Sequence, residues 1–154
     1  MITVDIYGKI IPQQRPKFAR HGNFIQTYDP KPCRDYKKIV QLYANQAVAK
    51  QKGFKPYERA IEVVLWFFFE IPKSFSDTER VEAAAGKIRP TGRPDIDNLA
   101  KGVLDAVKGI LWTDDSLIVT MHAKKFYTAG KERVWLGVRG IGEAADMKGA
   151  KESG

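Results

Sequence analysis

Cysteine is almost absent from this chain. Cys33 stands alone, which excludes an intrachain disulfide and a cysteine-rich zinc site and suits a reducing cytoplasm. Histidine is nearly as scarce: His21 and His122, with one cysteine, cannot supply a typical zinc centre. Only four serines occur (Ser74, Ser76, Ser116, Ser153), and none lies in a nucleophile-elbow sequence. Cys33 has basic Arg34 beside it but no histidine nearby, so it reads as a small packed side chain. Long apolar runs are missing too. The longest, IEVVLWFFFEI from Ile61 to Ile71, is broken by Glu62 and Glu70. It is about half the roughly 20 residues that span a bilayer, so a buried strand is expected and no membrane partner. The first residues, MITVDIYG, have neither a basic n-region nor an apolar h-region, so no secretory signal is expected.

What is present points to one packed domain with a polyanionic partner. The chain has 154 residues, 44% of them hydrophobic and 11% aromatic, enough for a sizeable core. Its net charge of +8 is unevenly placed. Residues 1–55 hold eleven Lys/Arg against three Asp/Glu, leaving fifteen against fifteen for the rest, so the whole excess sits in the first third. Such a surface attracts nucleic acid, with binding that weakens steeply as salt rises.

Periodicity sketches the elements. Ile2, Val4 and Ile6 alternate with polar residues as in a half-buried strand. IPQQRPKFARHGNFIQTYDP reads as an irregular loop or hairpin, in which Arg15, Lys17, Arg20 and His21 are interleaved with Phe18, Phe24 and Tyr28. Cations beside flat aromatic faces suit a nucleic-acid backbone with exposed bases. Lys31 to about Lys52 reads as a helix with Ile39, Leu42, Tyr43, Ala47 and Val48 on its apolar face and Gly53 as its stop. Arg34, Lys37, Lys38, Gln41 and Asn45 lie on or near the other side. A strand from Ala60 to Glu70 follows. Ser76 and Glu79 then form a capping-box pattern for a short helix ending near Gly86.

A further helix is expected from Ile96. Two strands close the series: Leu117 to Phe126, with Leu117, Val119, Met121 and Ala123 alternating, and Arg133 to Arg139, with Val134, Leu136 and Val138. The fold class expected is α+β, a single domain over 1–140 with helices packed on a small mixed sheet. Residues 141–154 are expected to form a disordered tail.

The stretch RPDIDNLAKGVLDAV concentrates the chemistry. Its helix carries an apolar face of Ile96, Leu99, Val103, Ala106 or Val107, and Ile110, and a polar stripe of Asp97, Lys101, Asp105 and Lys108. At about 100° per residue, Asp97 and Lys101 lie roughly 40° apart around the axis and can face one phosphate. Asp95 converges with Asp97 only if it precedes the first turn, which Pro94 makes plausible. Both aspartates also suit a helix start as caps or dipole partners. A second acidic pair, Asp114 and Asp115 in GILWTDDSLIV, reads either as a turn or as a carboxylate source near the first pair. Three carboxylates around one site would suit Mg²⁺ or Mn²⁺ rather than zinc. An EF-hand is excluded, since its loop glycine is missing and Leu99 stands at position five. A phosphatase or glycosyltransferase motif fits poorly, because the polar stretch GKIRPTGRP precedes the aspartates where such phosphatases place a buried strand.

Three matches together resemble the RusA family of Holliday-junction resolvases, small metal-dependent endonucleases of bacteria and their prophages. They are RPDIDNLAKGVLDAVKGILWTDDSLIV, the basic segment QQRPKFARHGNFIQTYDPKPCRDYKK, and IPKSFSDTER. The resemblance spans roughly residues 2–127. It implies that Asp95, Asp97 and Asp115 are ligands of Mg²⁺ (or Mn²⁺), that Lys101 is the catalytic lysine, and that Asp114 assists or shapes the turn. It implies that Arg15, Lys17, Arg20, Arg34, Lys37, Lys38 and Arg93 contact DNA. It also implies a cytoplasmic homodimer that nicks four-way junctions in recombination and repair. Pro94 stands where some members have arginine, and Leu117 where glutamine is frequent. The competing reading is a non-catalytic DNA-binding protein whose aspartates are caps and turns.

Overall fold

The computed structural model describes residues 1–143. Strand β1 (Ile2–Tyr7) is followed by a hairpin, β2 (Lys17–His21) and β3 (Phe24–Tyr28), and by helix α1 (Lys31–Lys50). Then come β4 (Ile61–Glu70), the short helix α2 (Asp77–Ala84), α3 (Ile96–Val107), a 3-10 turn (Asp115–Leu117), β5 (Ile118–Thr128) and β6 (Arg133–Gly140). Four strands form one mixed sheet in the order β1-β6-β4-β5, parallel between β4 and β5 and antiparallel elsewhere. The expected α+β class holds: the parallel pair needs a crossover, and α2 and α3 supply it.

One sheet face is covered by α1 and α3. Val63, Leu65 and Phe67 of β4 and Val134, Leu136 and Val138 of β6 meet Tyr36, Val40 and Ala44 of α1 and Leu99, Val103 and Val107 of α3. The other face is closed mainly by its own aromatic side chains. Trp66, Phe68, Phe126 and Trp135 pack together there, with Arg133 and Arg89 stacked over Phe68 and Phe126 at 4.2 and 3.8 Å. Gly137 makes this closure possible, because a Cβ on it would lie 2.6 Å from the Trp135 ring. With both faces covered, β4 reads as a continuous apolar run rather than an alternating one.

The capping box forms as expected: Glu79 N–H donates to the Ser76 hydroxyl, and Ser76 N–H donates to Glu79. Two expected faces are corrected. On α1 the buried row is Cys33, Tyr36, Val40 and Ala44, whereas Ile39 and Leu42 are exposed and Tyr43, Ala47 and Val48 half-buried. Both rows keep helical spacing, and packing against β1 and α3 selects the first. On β5, Val119 and Met121 are exposed and the buried residues are Phe126 and Thr128. This strand is at the sheet edge, so alternation in its first half has no layer to bury against.

Most of the expected tail, residues 144–154, lies outside the described residues. Glu143, inside them, is tied down: it accepts from the Met1 ammonium at 3.0 Å and the Tyr57 hydroxyl at 3.1 Å, and pairs with Arg59. Among the described residues no helix is long and apolar enough to cross a membrane.

Candidate active site

Helix α3 starts where the chain turns out of an exposed loop. Asp95 has an extended backbone (φ −70°, ψ 145°), and the first helical hydrogen bond runs from Leu99 N–H to its carbonyl at 3.1 Å. It therefore precedes the first turn, the position that convergence with Asp97 requires. Its carboxylate makes no capping hydrogen bond. Asp95 and Asp97, both exposed, open onto one shallow groove of about 750 Å³, whose other wall is Ala123, Lys124 and Lys125 of β5. The preceding Arg93–Pro94 peptide is cis.

Lys101, Asp105 and Lys108 continue the exposed stripe below Asp97, while Leu99, Ala100, Gly102, Val103, Ala106 and Val107 are buried. Of the expected apolar face, Ile96 is exposed and Ile110 half-buried.

Asp115 is placed differently. It opens the 3-10 turn, half-buried, and its Oδ1 accepts a hydrogen bond from the indole N–H of fully buried Trp112 at 2.7 Å. Asp114 shapes the turn: its carboxylate accepts from Ser116 N–H at 3.2 Å. That bond, reinforced by the charge of Lys108, holds its carboxyl below the ordinary value.

The donor set can be judged against a metal. Among the described residues no three His, Cys, Asp or Glu side chains come close enough to hold one ion, so Asp115 is not gathered with Asp95 and Asp97. Two carboxylates on an open groove nevertheless suit Mg²⁺, which keeps several waters and is commonly held by one or two carboxylates plus substrate phosphates. The donor chemistry of Asp95 and Asp97 is that of a hard cation's ligands, and Asp115 does not line their groove.

The basic first third is joined to α3. Gln13 N–H donates to the Asn98 carbonyl at 3.0 Å, and the Gln13 side chain donates to Asp29 at 3.0 Å. The hairpin then projects Lys17 and Arg20 with exposed Phe18, Phe24, Ile25 and Tyr28. A two-residue loop, Gly22–Asn23, closes it, and Gly22 supplies the positive φ (63°) such loops require. Arg15, Arg34, Lys38 and Arg93 are exposed. Lys37 is not free: its ammonium lies 2.7 Å from Asp29 and 3.8 Å from Asp105.

Asp29 is a residue that sequence reasoning missed, because Tyr-Asp-Pro reads only as a turn. The Lys37 hydrogen bond, helped by Gln13 and by the charge of Lys101, holds its carboxyl below the ordinary 3.8. A carboxyl lowered by folding stabilises fully above its unfolded value, and that contribution is lost as pH falls through the folded value. Lys37→Met should return the Asp29 titration, followed by NMR, toward the ordinary carboxylate range. An unmoved titration would mean that Gln13 and Lys101 suffice.

Fold and site together define a basic α+β protein with paired carboxylates on an open, cation-lined groove, the equipment of a protein that acts on phosphodiesters. The chain belongs to the RusA family: the family model described as "Endodeoxyribonuclease RusA" matches residues 8–139. It is also similar to a protein of Bacillus subtilis (strain 168) described as "Uncharacterized protein YqaN". The two are 31% identical over 129 residues, covering 82% of this chain and 88% of that one. The family is one of endodeoxyribonucleases, so nuclease activity is the supported class of function.

Proposed function

We propose that this protein is a Mg²⁺-dependent endodeoxyribonuclease that resolves four-way DNA junctions by paired nicks, acting as a cytoplasmic homodimer. The observation that carries the reading is the freedom of Asp95. Its carboxylate caps nothing and shares a groove with Asp97. That speaks against the alternative of a purely DNA-binding protein whose aspartates are caps, a role that here belongs to Asp114.

A phosphodiester already carries negative charge, so hydrolysis needs that charge neutralised and a water activated. A bound Mg²⁺ would supply a water of lowered pKa and charge compensation at the phosphoryl oxygens. Asp95 and Asp97 would hold it, while Asp115, held by Trp112, stands outside that groove as it is formed without DNA. Lys101, one turn below Asp97, would place its ammonium on the same phosphate or on the leaving oxygen. Arg15, Lys17, Arg20, Arg34, Lys38 and Arg93 would contact phosphates away from the cut, and Phe18 and Phe24 would meet unstacked bases. Lys37 would contribute less, being engaged by two carboxylates. A two-fold protein suits a junction, which offers two symmetry-related strands.

Incubation with a synthetic four-way junction tests this. Paired nicks should appear with Mg²⁺ and not with EDTA. Junction affinity measured without Mg²⁺ should fall steeply, by roughly a thousandfold between 50 and 200 mM salt if six or more phosphates are contacted. Salt-sensitive binding with no cation-dependent nicking would return the protein to the non-catalytic reading.

A further inference from the structure

Asp95 is held in position by more than its carbonyl's bond to its own helix. Its backbone is extended, its side chain caps nothing, and residues 91–93 before it are exposed. A segment with so few local restraints is expected to open easily. Lys125 of β5 provides the restraint. Its ammonium donates to the Gly92 carbonyl at 2.8 Å and to the Pro94 carbonyl at 2.9 Å. The Pro94 carbonyl belongs to the planar peptide unit that contains the Asp95 nitrogen, so the ammonium fixes the plane from which Asp95 projects.

The other end of the loop is clamped to the same residue. Arg89 Nε donates to the Lys125 carbonyl at 2.6 Å while its guanidinium lies 3.8 Å from the Phe126 ring centroid. The backbone of Lys125 is in turn paired with fully buried Phe67 of β4. A side chain carried on a paired strand transmits a more exact position than one carried on a loop. Ordering a lysine side chain costs rotamer entropy, and here two charge-assisted hydrogen bonds to one loop offset it.

We infer that Lys125 is a positioning residue of the active site: it sets the place of the Asp95 carboxylate, and through it the affinity for the cation. The inference rests on the reading of Asp95 as a cation ligand. Mn²⁺ alone, titrated calorimetrically into the DNA-free protein, reads the effect directly. Lys125→Met is expected to weaken Mn²⁺ binding by about tenfold or more, the scale for losing a group that orients a ligand. Its junction affinity in EDTA should be unchanged, and Lys125→Arg, which keeps the charge and can donate to both carbonyls, should recover most of the loss. If Lys125→Met fails to fold, Lys125→Gln takes its place with the same expectation.

Wild-type Mn²⁺ affinity in the neutral variant overturns the inference. So does a loss of junction affinity in EDTA with Mn²⁺ binding intact, which would make Lys125 a phosphate contact. If that wild-type affinity accompanies an inactive Asp97→Asn, only the positioning role falls. A wild-type protein that binds no Mn²⁺ overturns the cation site along with it.

Discussion

Asp97→Asn is expected to lower junction cleavage by roughly a thousandfold or more, the scale of removing a group that stabilises transition-state charge. Binding to the junction should survive. The substitution keeps size and a hydrogen-bonding oxygen but removes the charge that a hard cation requires. Asp97 is exposed in the first turn of α3, away from the buried row, so the helix has little reason to come apart. Some loss of favourable dipole interaction at the helix start, a few tenths of a kcal/mol, is the only structural cost anticipated. The measurement is nicking rate beside gel-shift affinity. A variant that cuts at the wild-type rate sinks the catalytic assignment, and one that no longer binds shifts Asp97 toward a structural role.

Trp112→Ala should produce the largest loss of stability, about 3–5 kcal/mol by urea denaturation. Trp112 is fully buried, and its backbone is stitched into the structure: Gly109 N–H donates to its carbonyl at 2.7 Å, while flanking Leu111 and Thr113 bond Tyr57 at 2.9 and 3.1 Å. Removing the ring leaves a cavity that these fixed neighbours cannot close. Against the 5–15 kcal/mol typical of a domain, such a loss threatens folding at 37 °C.

The same change would release Asp115 from its only indole donor. Trp112→Phe separates the two effects, because it keeps most of the ring and deletes the N–H. It should cost roughly 1–3 kcal/mol, the range for leaving a buried acceptor unpaired. Melting and cleavage measured on both variants apportion packing from carboxylate orientation. A Trp112→Ala protein as stable as wild type would remove Trp112 from the core.

How much of the site was legible follows from how far each determinant reaches along the chain. The placement of Asp95 outside the helix and of Asp97 and Lys101 on one stripe follows from Pro94 and from helical spacing, and the structure has both. The Ser76 box and the strands at 61–70 and 133–140 are equally local, and they form. The buried face of α1 was not legible, since two rows of suitable residues share that helix and only its neighbours choose between them. The exposure of Val119 and Met121 was hidden for a related reason: alternation marks a strand but not whether anything covers it.

By itself, then, the sequence determined the order of the main helices and strands, with the segment before α1 open between loop and hairpin, and also the basic first third, the acidic pairs and the family. Backbone sterics, periodicity and charge act over a few residues and survive translation into pattern. Only the tertiary structure decided that β4 and β5 run parallel, that Asp115 is held by Trp112 rather than gathered with Asp95, and that Lys37 is engaged by Asp29 and Asp105. It alone set Lys125 beneath the loop that presents Asp95, thirty-one residues from Pro94 along the chain. In the sequence Lys125 is one cation among 26, because a hydrogen bond to a distant carbonyl leaves no spacing to read.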